Sequence, residues 1–154
     1  MQTIEQYLAE HPFFAGLDEK TLDEVAGCAR NVHLREGDLL LRTGEPADTF
    51  YAVRHGRIAI EVRGHGGRPV VLESVHDGEI VGWSWLIPPH RAKFDARASV
   101  DTSVVAFDAT CLRGKCESDP VLGYALLTRV AQVMDRRLQS ARVRLLDVYG
   151  AEAP

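Results

Sequence analysis

Apolar residues recur along this chain with more than one spacing, and the changes of spacing divide it into segments. In residues 1–30, Pro12 interrupts a helical stretch that reads TIEQYLAEHPFF. Asp18 then precedes a second helical stretch as an N-cap candidate. The apolar positions of that second stretch are Leu22, Val25, Ala26 and Ala29. The first segment therefore predicts two short N-terminal helices.

Residues 31–108 have short apolar runs separated by turns that contain glycine, namely REGD, GEP, RHGR and GHGG. Alternation is clearest at Tyr51 and Val53 and again at Ile58, Ile60 and Val62. His55-Gly56 lies between these two runs and is predicted to form a two-residue hairpin turn. FDARASVDTSVVAFD supplies the last strands. Short strands at this even spacing predict an antiparallel β-barrel or jelly roll.

Residues 109–150 return to helical spacing. Ser118-Asp119-Pro120 places a capping side chain before a proline and predicts the start of a helix. That helix is predicted to run to Tyr149 and to end at Gly150. Its length, about 45 Å at 1.5 Å per residue, exceeds what a barrel of this size can cover.

The long helix carries apolar residues at alternating steps of four and three, which is a heptad pattern. These positions, hereafter the seam, are Leu127, Ala131, Met134, Leu138, Ala141, Leu145 and Val148. We predict a parallel homodimer through this seam, although packing of one helical stripe on the barrel is the alternative and is expected near Val121–Leu127. Five arginines fall mostly off the seam and are predicted to stay solvated: Arg129, Arg136, Arg137, Arg142 and Arg144.

Composition narrows the functional classes. The 154 residues suit a single domain, and the formal net charge of −4 gives no basic excess for nucleic acid or an anionic membrane. The first residues have no basic n-region, and no run approaches the roughly 18 apolar residues of a membrane helix. We therefore expect a cytoplasmic protein that does not associate with a membrane.

The chain has three cysteines, Cys28, Cys111 and Cys116. Their odd number argues against a disulfide framework, and free cysteine is commonly a small core residue. The CLRGKC spacing supplies two thiols at most, whereas a closed zinc site needs four ligands. We therefore expect no metal.

The segment REGDLLLRTGEPADTFYAVRHGRIAI resembles the first half of a cyclic-nucleotide-binding domain of the Crp/Fnr kind. The matching residues are Gly37, the run Gly44-Glu45-Pro46-Ala47-Asp48, Tyr51, Val53 and Gly56. The resemblance covers roughly residues 12–149. It implies a β-jelly roll flanked by N-terminal helices and by a C-terminal helix that often dimerises.

The resemblance also assigns VGWSWLIPPHRAKFDARAS, residues 81–99, to the phosphate-binding cassette of that family. There, a helix N-terminus and an arginine bind the cyclic phosphate, and a glutamate accepts a hydrogen bond from the ribose hydroxyl. This chain departs from that pattern, because Trp83 occupies the glutamate position. Counting back from Ala98 and Val104 puts Ala92 in the arginine position, with Arg91 and Lys93 on either side. We therefore expect altered or lost binding of cyclic nucleotides.

Two interpretations of the tryptophans remain open. The rings could line a pocket for another nucleotide-like or anionic ligand, or they could fill the vacated cavity and plug it. The candidate ligand-binding residues are Gly82, Trp83, Ser84, Trp85, Arg91, Lys93 and Arg97. Asp95 and Arg97 lie two apart on one strand face, so a structural ion pair is the alternative role for both.

Other classes receive less support. Metal-dependent jelly-roll enzymes resemble one another in a His-x-His pair, which none of the six histidines forms. No nucleophile elbow or Gly-rich phosphate loop is present, so we expect no enzyme.

Because the chain as given stops at Pro154, soon after the long helix, we expect no helix-turn-helix and no DNA binding. Cys28 alone cannot supply an iron–sulfur cluster. Two functional hypotheses remain. One is a sensor that signals to an unknown partner through the long helix, and the other is a ligand-free dimeric interaction module.

Overall fold

The N-terminal segment forms two helices whose starts are fixed by local side chains. Helix α1 (Ile4–Glu10) begins at Thr3, whose Oγ accepts a hydrogen bond from the Gln6 amide at 3.1 Å. Helix α2 (Glu19–Ala26) begins at Asp18, whose carboxylate accepts from the Thr21 amide at 2.8 Å. Both predicted helices are confirmed. The computed structural model describes residues 2–152, so the extreme ends of the domain predicted over residues 1–154 lie outside the described residues.

Within residues 2–152, eight strands form two antiparallel sheets, which confirms the predicted jelly roll. The first sheet has the order β1-β8-β3-β6 and the second has the order β2-β7-β4-β5. The strands are β1 (Ala29–Leu34), β2 (Leu39–Leu41), β3 (Thr49–His55), β4 (Arg57–Arg63), β5 (Pro69–His76), β6 (Ile80–Val81), β7 (Asp95–Ala98) and β8 (Thr102–Asp108).

The predicted hairpin at His55-Gly56 is wrong. Strands β3 and β4 flank this dipeptide, but they belong to different sheets, so the chain crosses between the sheets there. Gly56 has φ +133°, and a Cβ on it would lie 2.4 Å from Thr102 Oγ1. Asp77 accepts a hydrogen bond from the Gly56 amide at 2.8 Å, which satisfies the backbone donor at the crossing.

Strand alternation divides the buried residues between two clusters, because successive side chains of β3 point to opposite faces of the first sheet. Phe50 and Ala52 join a cluster between that sheet and the helices, whereas Val53 joins a cluster between the two sheets. Each fully buried large apolar side chain contributes about 1.5–3 kcal/mol. The inter-sheet cluster, hereafter the barrel interior, comprises Leu41, Val53, Ile58, Ile60, Val75, Val81, Ala92, Ala96, Ala98 and Val104.

Two helices follow the last strand: α3 (Ala109–Ser118) and α4 (Pro120–Glu152). The predicted start of α4 is confirmed, because the Asp119 carboxylate accepts from the amides of Val121 at 3.2 Å and Leu122 at 3.3 Å. The predicted stop at Gly150 is wrong, since the helix continues to Glu152. One glycine weakens a helix by only about 1 kcal/mol, which does not oblige it to end.

One face of α4 packs on the body of the protein. The buried residues of that face are Leu122, Leu126, Val130 and Val133. The stripe predicted to pack near Val121–Leu127 is therefore offset by one position, since Val121 and Leu127 themselves are exposed. Within residues 2–152, no helix combines the length and the apolar character that crossing a membrane would require.

The expectation that all three cysteines are free is wrong, because Cys28 and Cys111 form a disulfide. An odd number of cysteines does not exclude one pair, and here Cys116 is the one left free. The antiparallel pairing of β1 with β8 sets Ala29 opposite Phe107, which brings the residues just outside the two strand ends together. Cys28 immediately precedes β1, and Cys111 follows the end of β8 by three residues.

Candidate ligand site at the loop between β6 and β7

The loop between β6 and β7, residues 82–94 and hereafter the cassette loop, leaves the first sheet at a glycine with positive φ. Gly82 is buried with φ +91°, a conformation that side-chain-bearing residues rarely adopt. The chain then makes one turn, in which the Leu86 amide donates to the Trp83 carbonyl at 3.1 Å and the Ile87 amide donates to the Ser84 carbonyl at 3.2 Å. A single turn presents fewer free N–H groups to a ligand than a helix N-terminus does.

The returning half of the cassette loop is held by backbone hydrogen bonds to the turn at residues 44–47. The Gly44 amide donates to the Ala92 carbonyl at 2.8 Å, and the Ala92 amide donates to the Glu45 carbonyl at 2.9 Å. The Ala47 amide donates to the His90 carbonyl at 2.7 Å. The turn at residues 44–47, which matches the family pattern, thus holds the cassette loop, which departs from that pattern.

Trp85 lies in the helix-facing core. Its ring is 1% exposed and stacks on Phe50 with centroids 4.7 Å apart, and Phe50 stacks in turn on Phe107 at 4.5 Å. The Arg113 guanidinium donates to the Trp85 carbonyl at 2.8 Å. Within the described residues, the buried indole Nε1 has no hydrogen-bond partner. Trp85 therefore anchors the cassette loop to the sheet, and its ring does not face the barrel interior.

Trp83 lies at the boundary between the two clusters. It is half-buried against the helix-facing core, and the edge of its ring meets Phe94 at a centroid distance of 6.4 Å. On its other side the Arg137 guanidinium carbon of α4 lies 4.9 Å from the Trp83 ring centroid. A cation over an indole face is attracted by the negative potential of the ring. Trp83 thus joins the cassette loop to the long helix.

Arg137 is held by several groups besides Trp83. It donates to the Ile80 carbonyl and lies 3.8 Å from the Glu73 carboxylate, and its side chain is 13% exposed. Burial lowers the pKa of Arg137, and the nearby Glu73 and Glu79 oppose that shift. The prediction that Arg137 stays solvated is therefore wrong. It continues the barrel-facing stripe of α4 one turn beyond Val133, and that spacing could have revealed it.

The position assigned to the phosphate arginine holds no charge. Ala92 is 5% exposed and packs within the apolar cluster of the barrel interior. Its neighbours Arg91 and Lys93 are both exposed, and Arg91 donates to the Gly44 carbonyl at 2.9 Å. Because a buried anion needs a nearby donor or cation, this interior offers a cyclic phosphate little stabilisation.

Arg97 faces away from the barrel interior, because its neighbours Ala96 and Ala98 point into it. It pairs with Glu61 at 3.2 Å and donates to the Gly37 carbonyl at 2.9 Å. Asp95 accepts from the Thr43 amide at 2.7 Å, and this hydrogen bond lowers the pKa of Asp95. The predicted ion pair between Asp95 and Arg97 is thus replaced by separate partners, Thr43 after β2 and Glu61 on β4.

A cavity of about 1130 Å³ separates the distal half of α4 from β5, β6 and the turn between them. One wall is acidic, with Glu73, Asp77 and Glu79, and the other is basic. The basic residues are Arg136, Arg137 and Arg144, of which Arg144 also donates to the Leu72 carbonyl. Polar contacts of this kind, more than apolar packing, join the distal half of α4 to the barrel.

The structure thus brings some of the candidate residues together and separates others. Trp83 contacts α4 through Arg137 and Gly82 lies against Leu41 and Phe50, whereas Trp85 turns into the core. Arg91, Lys93 and Arg97 lie outside the barrel interior. Sequence reasoning missed the residues that contact Trp83, namely Arg137 and Phe94.

The seam of α4 is exposed along its length in the isolated chain. Leu127 is 53% exposed and Leu138 is 49% exposed, and the other large seam residues, Met134, Leu145 and Val148, are exposed too. This face lies beside the packed face that contains Leu126 and Val130, about a third of a turn around the helix. Soluble monomers seldom expose a continuous apolar stripe of this kind.

Comparison with known proteins places residues 31–119 under a family model described as "Cyclic nucleotide-binding domain". The match covers both sheets, the cassette loop and α3. It includes the segment from Arg35 to Ile60 on which the resemblance in the sequence rests.

Individual relatives agree with this match. An uncharacterized NTE family protein of Mycobacterium tuberculosis is 26% identical over 140 residues, which is 90% of this chain and 23% of that protein. The CRP-like cAMP-activated global transcriptional regulator of the same organism is 22% identical over 98% of this chain and 66% of its own length. This chain thus spans about a quarter of the NTE family protein.

A solved structure is also similar to this chain. The crystal structure of a putative cyclic nucleotide-binding protein from Geobacter metallireducens superimposes with a TM-score of 0.79 at 27% sequence identity. The similarity covers 90% of this chain and 99% of that one. The fold of the two chains is therefore the same over nearly their whole lengths.

Proposed function

This chain belongs to the cyclic nucleotide-binding domain family, and we propose that it is a regulatory sensor domain with altered or lost specificity for cyclic nucleotides. In this proposal the cassette loop responds to a nucleotide-like or anionic ligand and α4 conveys the response to an unknown protein partner. The observation that carries it is the pair of substitutions at the family's ligand-binding positions. Trp83 stands in the glutamate position beside Arg137, and Ala92 stands in the arginine position inside an apolar barrel interior.

The size of the effect follows from the lost contacts. A hydrogen bond to a charged group contributes about 1.5–3 kcal/mol, which corresponds to roughly ten- to a hundredfold in affinity. Loss of both the glutamate and the arginine removes at least two such contacts. We expect cAMP and cGMP to bind the native chain more weakly than micromolar.

Restoring the two positions is the sharpest test. Calorimetry compares cAMP binding by the native chain, by Trp83→Glu combined with Ala92→Arg, and by Arg91→Gln as a matched control beside the restored arginine. We expect at least a tenfold gain for the double variant and no change for the control. Micromolar binding by the native chain would contradict the proposal of altered specificity.

A second candidate function is a ligand-free dimeric interaction module. It is favoured by the way Trp85 and Ala92 fill their surroundings with apolar contacts, so that the fold is stable without a ligand. A thermal-shift screen with nucleotides and acidic metabolites discriminates the two, because a ligand at a hundred times its Kd adds about 2.7 kcal/mol. If no compound shifts the unfolding temperature while the dimer persists, the interaction module is supported.

We further propose that the chain acts in the cytoplasm as a homodimer and is not an enzyme. The exposed seam of α4 supports self-association, and the net charge of −4 gives no reason to expect DNA as a partner of these residues. The activities of the larger relatives are not carried over, since this chain matches only part of them.

A further inference from the structure

A disulfide joins the N-terminal helical segment to helix α3. Cys28 follows α2 and immediately precedes β1, and Cys111 lies in the first turn of α3, 83 residues further along the chain. Beside the disulfide, the Asp108 amide donates to the Cys28 carbonyl at 2.9 Å. The α2–β1 junction and the start of α3 are thus held both covalently and by a hydrogen bond.

Cys111 lies at the start of α3. It is the third residue of that helix, where the partial positive charge of a helix N-terminus attracts a nearby anion. The carboxylate of Asp108 opposes this effect, but it is engaged as the N-cap and accepts from the Cys111 amide at 2.9 Å.

Lys115 adds a second positive group beside the pair. It follows Cys111 by one helical turn, and its ammonium donates to the Glu24 carbonyl at 2.6 Å. That ammonium lies only 2.7 Å from where a Cβ on Gly27, the neighbour of Cys28, would stand. A cation near the pair stabilises whichever sulfur leaves as a thiolate when the disulfide is attacked.

The two sulfurs differ in access. Cys28 is 7% exposed, whereas Cys111 is half-buried. An external thiolate therefore reaches the Cys111 sulfur first, forms a mixed disulfide there and releases the Cys28 thiolate, whose neighbour Gly27 lies beside the Lys115 ammonium. A second external thiolate then attacks the small-molecule sulfur of the mixed disulfide and releases the Cys111 thiolate at the N-terminus of α3. The balance is one protein disulfide plus two thiols giving one protein dithiol plus one small disulfide.

From this arrangement we propose that Cys28 and Cys111 form a reversible redox pair, which exchanges with low-molecular-weight thiols and disulfides of the glutathione class. Its state sets how firmly the start of α3 is held to the α2–β1 junction. Only Asp119 separates α3 from α4, so the pair acts on the base of the long helix. This inference concerns a site outside the cassette loop and does not depend on ligand binding.

The test equilibrates the purified full chain, carrying Cys116→Ser to exclude disulfide scrambling, with mixtures of reduced and oxidised glutathione. Free thiols are then alkylated and assigned by mass spectrometry. We expect the pair to pass from oxidised to reduced within the accessible range of mixtures, and the oxidised form to unfold several degrees higher than the reduced form. A pair that stays oxidised in excess reduced glutathione, or that never forms, would overturn the proposal.

Two variants separate a redox pair from a passive crosslink. Lys115→Gln is expected to slow reduction several-fold, whereas Lys20→Gln, which changes an exposed lysine of α2, is expected to leave the rate unchanged. The double variant Cys28→Ser with Cys111→Ser should unfold at the temperature of the reduced chain. Its unfolding temperature should not change with the ratio of reduced to oxidised glutathione. Equal reduction rates for Lys115→Gln and the native chain would overturn the role of Lys115 and with it the proposed redox pair.

Discussion

The guanidinium carbon of Arg137 lies 4.9 Å from the ring centroid of Trp83. One residue belongs to the long helix and the other to the cassette loop, at the position where the family resemblance implies a ribose-binding glutamate. The same arginine also reaches Glu73 and the Ile80 carbonyl. The cassette loop and α4 are therefore in direct contact through Trp83 and Arg137.

Removing the Arg137 side chain should loosen α4. Arg137→Ala is expected to lower the free energy of unfolding by about 1–3 kcal/mol, because the variant loses the contact with Trp83 and leaves the Glu73 carboxylate unpaired. Urea denaturation followed by tryptophan fluorescence measures the change. Arg136→Ala is the matched control, since Arg136 is exposed and its loss should change stability by less than about 0.5 kcal/mol. Equal effects of the two variants would contradict this role of Arg137.

His11 should make stability depend on pH. It is buried, its Nδ1 accepts from the Phe13 amide at 3.2 Å, and burial lowers the pKa of His11 to about 4. As pH falls from about 6.5 to about 4, the unfolded chain binds a proton at His11 and the folded chain does not, so stability falls by up to about 3 kcal/mol.

His11→Asn keeps an acceptor for the Phe13 amide and removes the titration. Unfolding measured across this pH range should therefore flatten in His11→Asn and keep its slope in the control His65→Asn, which changes an exposed histidine. An unchanged slope in both variants would assign the pH dependence to other groups.

Gly56 should tolerate no side chain. In Gly56→Ala the new Cβ would lie 2.4 Å from Thr102 Oγ1 on a backbone with φ +133°, so we expect a loss of about 3 kcal/mol or more. Gly66→Ala serves as the control, because Gly66 also has positive φ but open space around it, and the expected loss is only about 1–2 kcal/mol. Denaturant unfolding measures the stability of both variants, and the slope of each transition should stay that of the native chain. Similar losses of stability in Gly56→Ala and Gly66→Ala would mean that the close approach of Thr102 is unimportant.

Trp85 should act as the anchor of the cassette loop. Trp85→Ala removes a buried ring stacked on Phe50 and is expected to cost about 3–5 kcal/mol. Ile87→Ala in the same loop changes an exposed residue and should cost less than about 0.5 kcal/mol. Thermal unfolding of the two variants compares them, and a small loss for Trp85→Ala would show that the stack contributes little.

The seam should determine the oligomeric state. Sedimentation at tens of micromolar is expected to give about twice the 17.0 kDa mass of one chain for the native protein, and the monomer mass for Leu138→Glu. Gln139→Glu adds the same charge to the neighbouring position off the seam and should remain dimeric. A native protein that sediments as a monomer would leave the seam without a role in self-association.

The amino-acid sequence by itself determined the features that depend on neighbours along the chain. Asp18 caps α2 and Asp119 caps α4 through amides two or three residues away, so the sequence contains both partners of each contact. The alternation of apolar residues in the strands likewise follows from backbone geometry, and it predicted the two-sheet fold. The burial of Ala92 depends on the loop before β7, and its assignment to the arginine position stays a prediction.

The tertiary structure decided what depends on residues distant in the chain. A glycine turn is compatible with a hairpin or with a crossing between sheets, and only the pairing of β3 with β6 and β8 selected the crossing at Gly56. Arg137 fits a solvated or a buried face equally well until α4 is laid against Trp83. Cys28 and Cys111 meet because β1 pairs with β8, a contact between strands more than 60 residues apart. Local chemistry is encoded within a few residues, whereas these contacts exist only once the sheets and α4 have assembled.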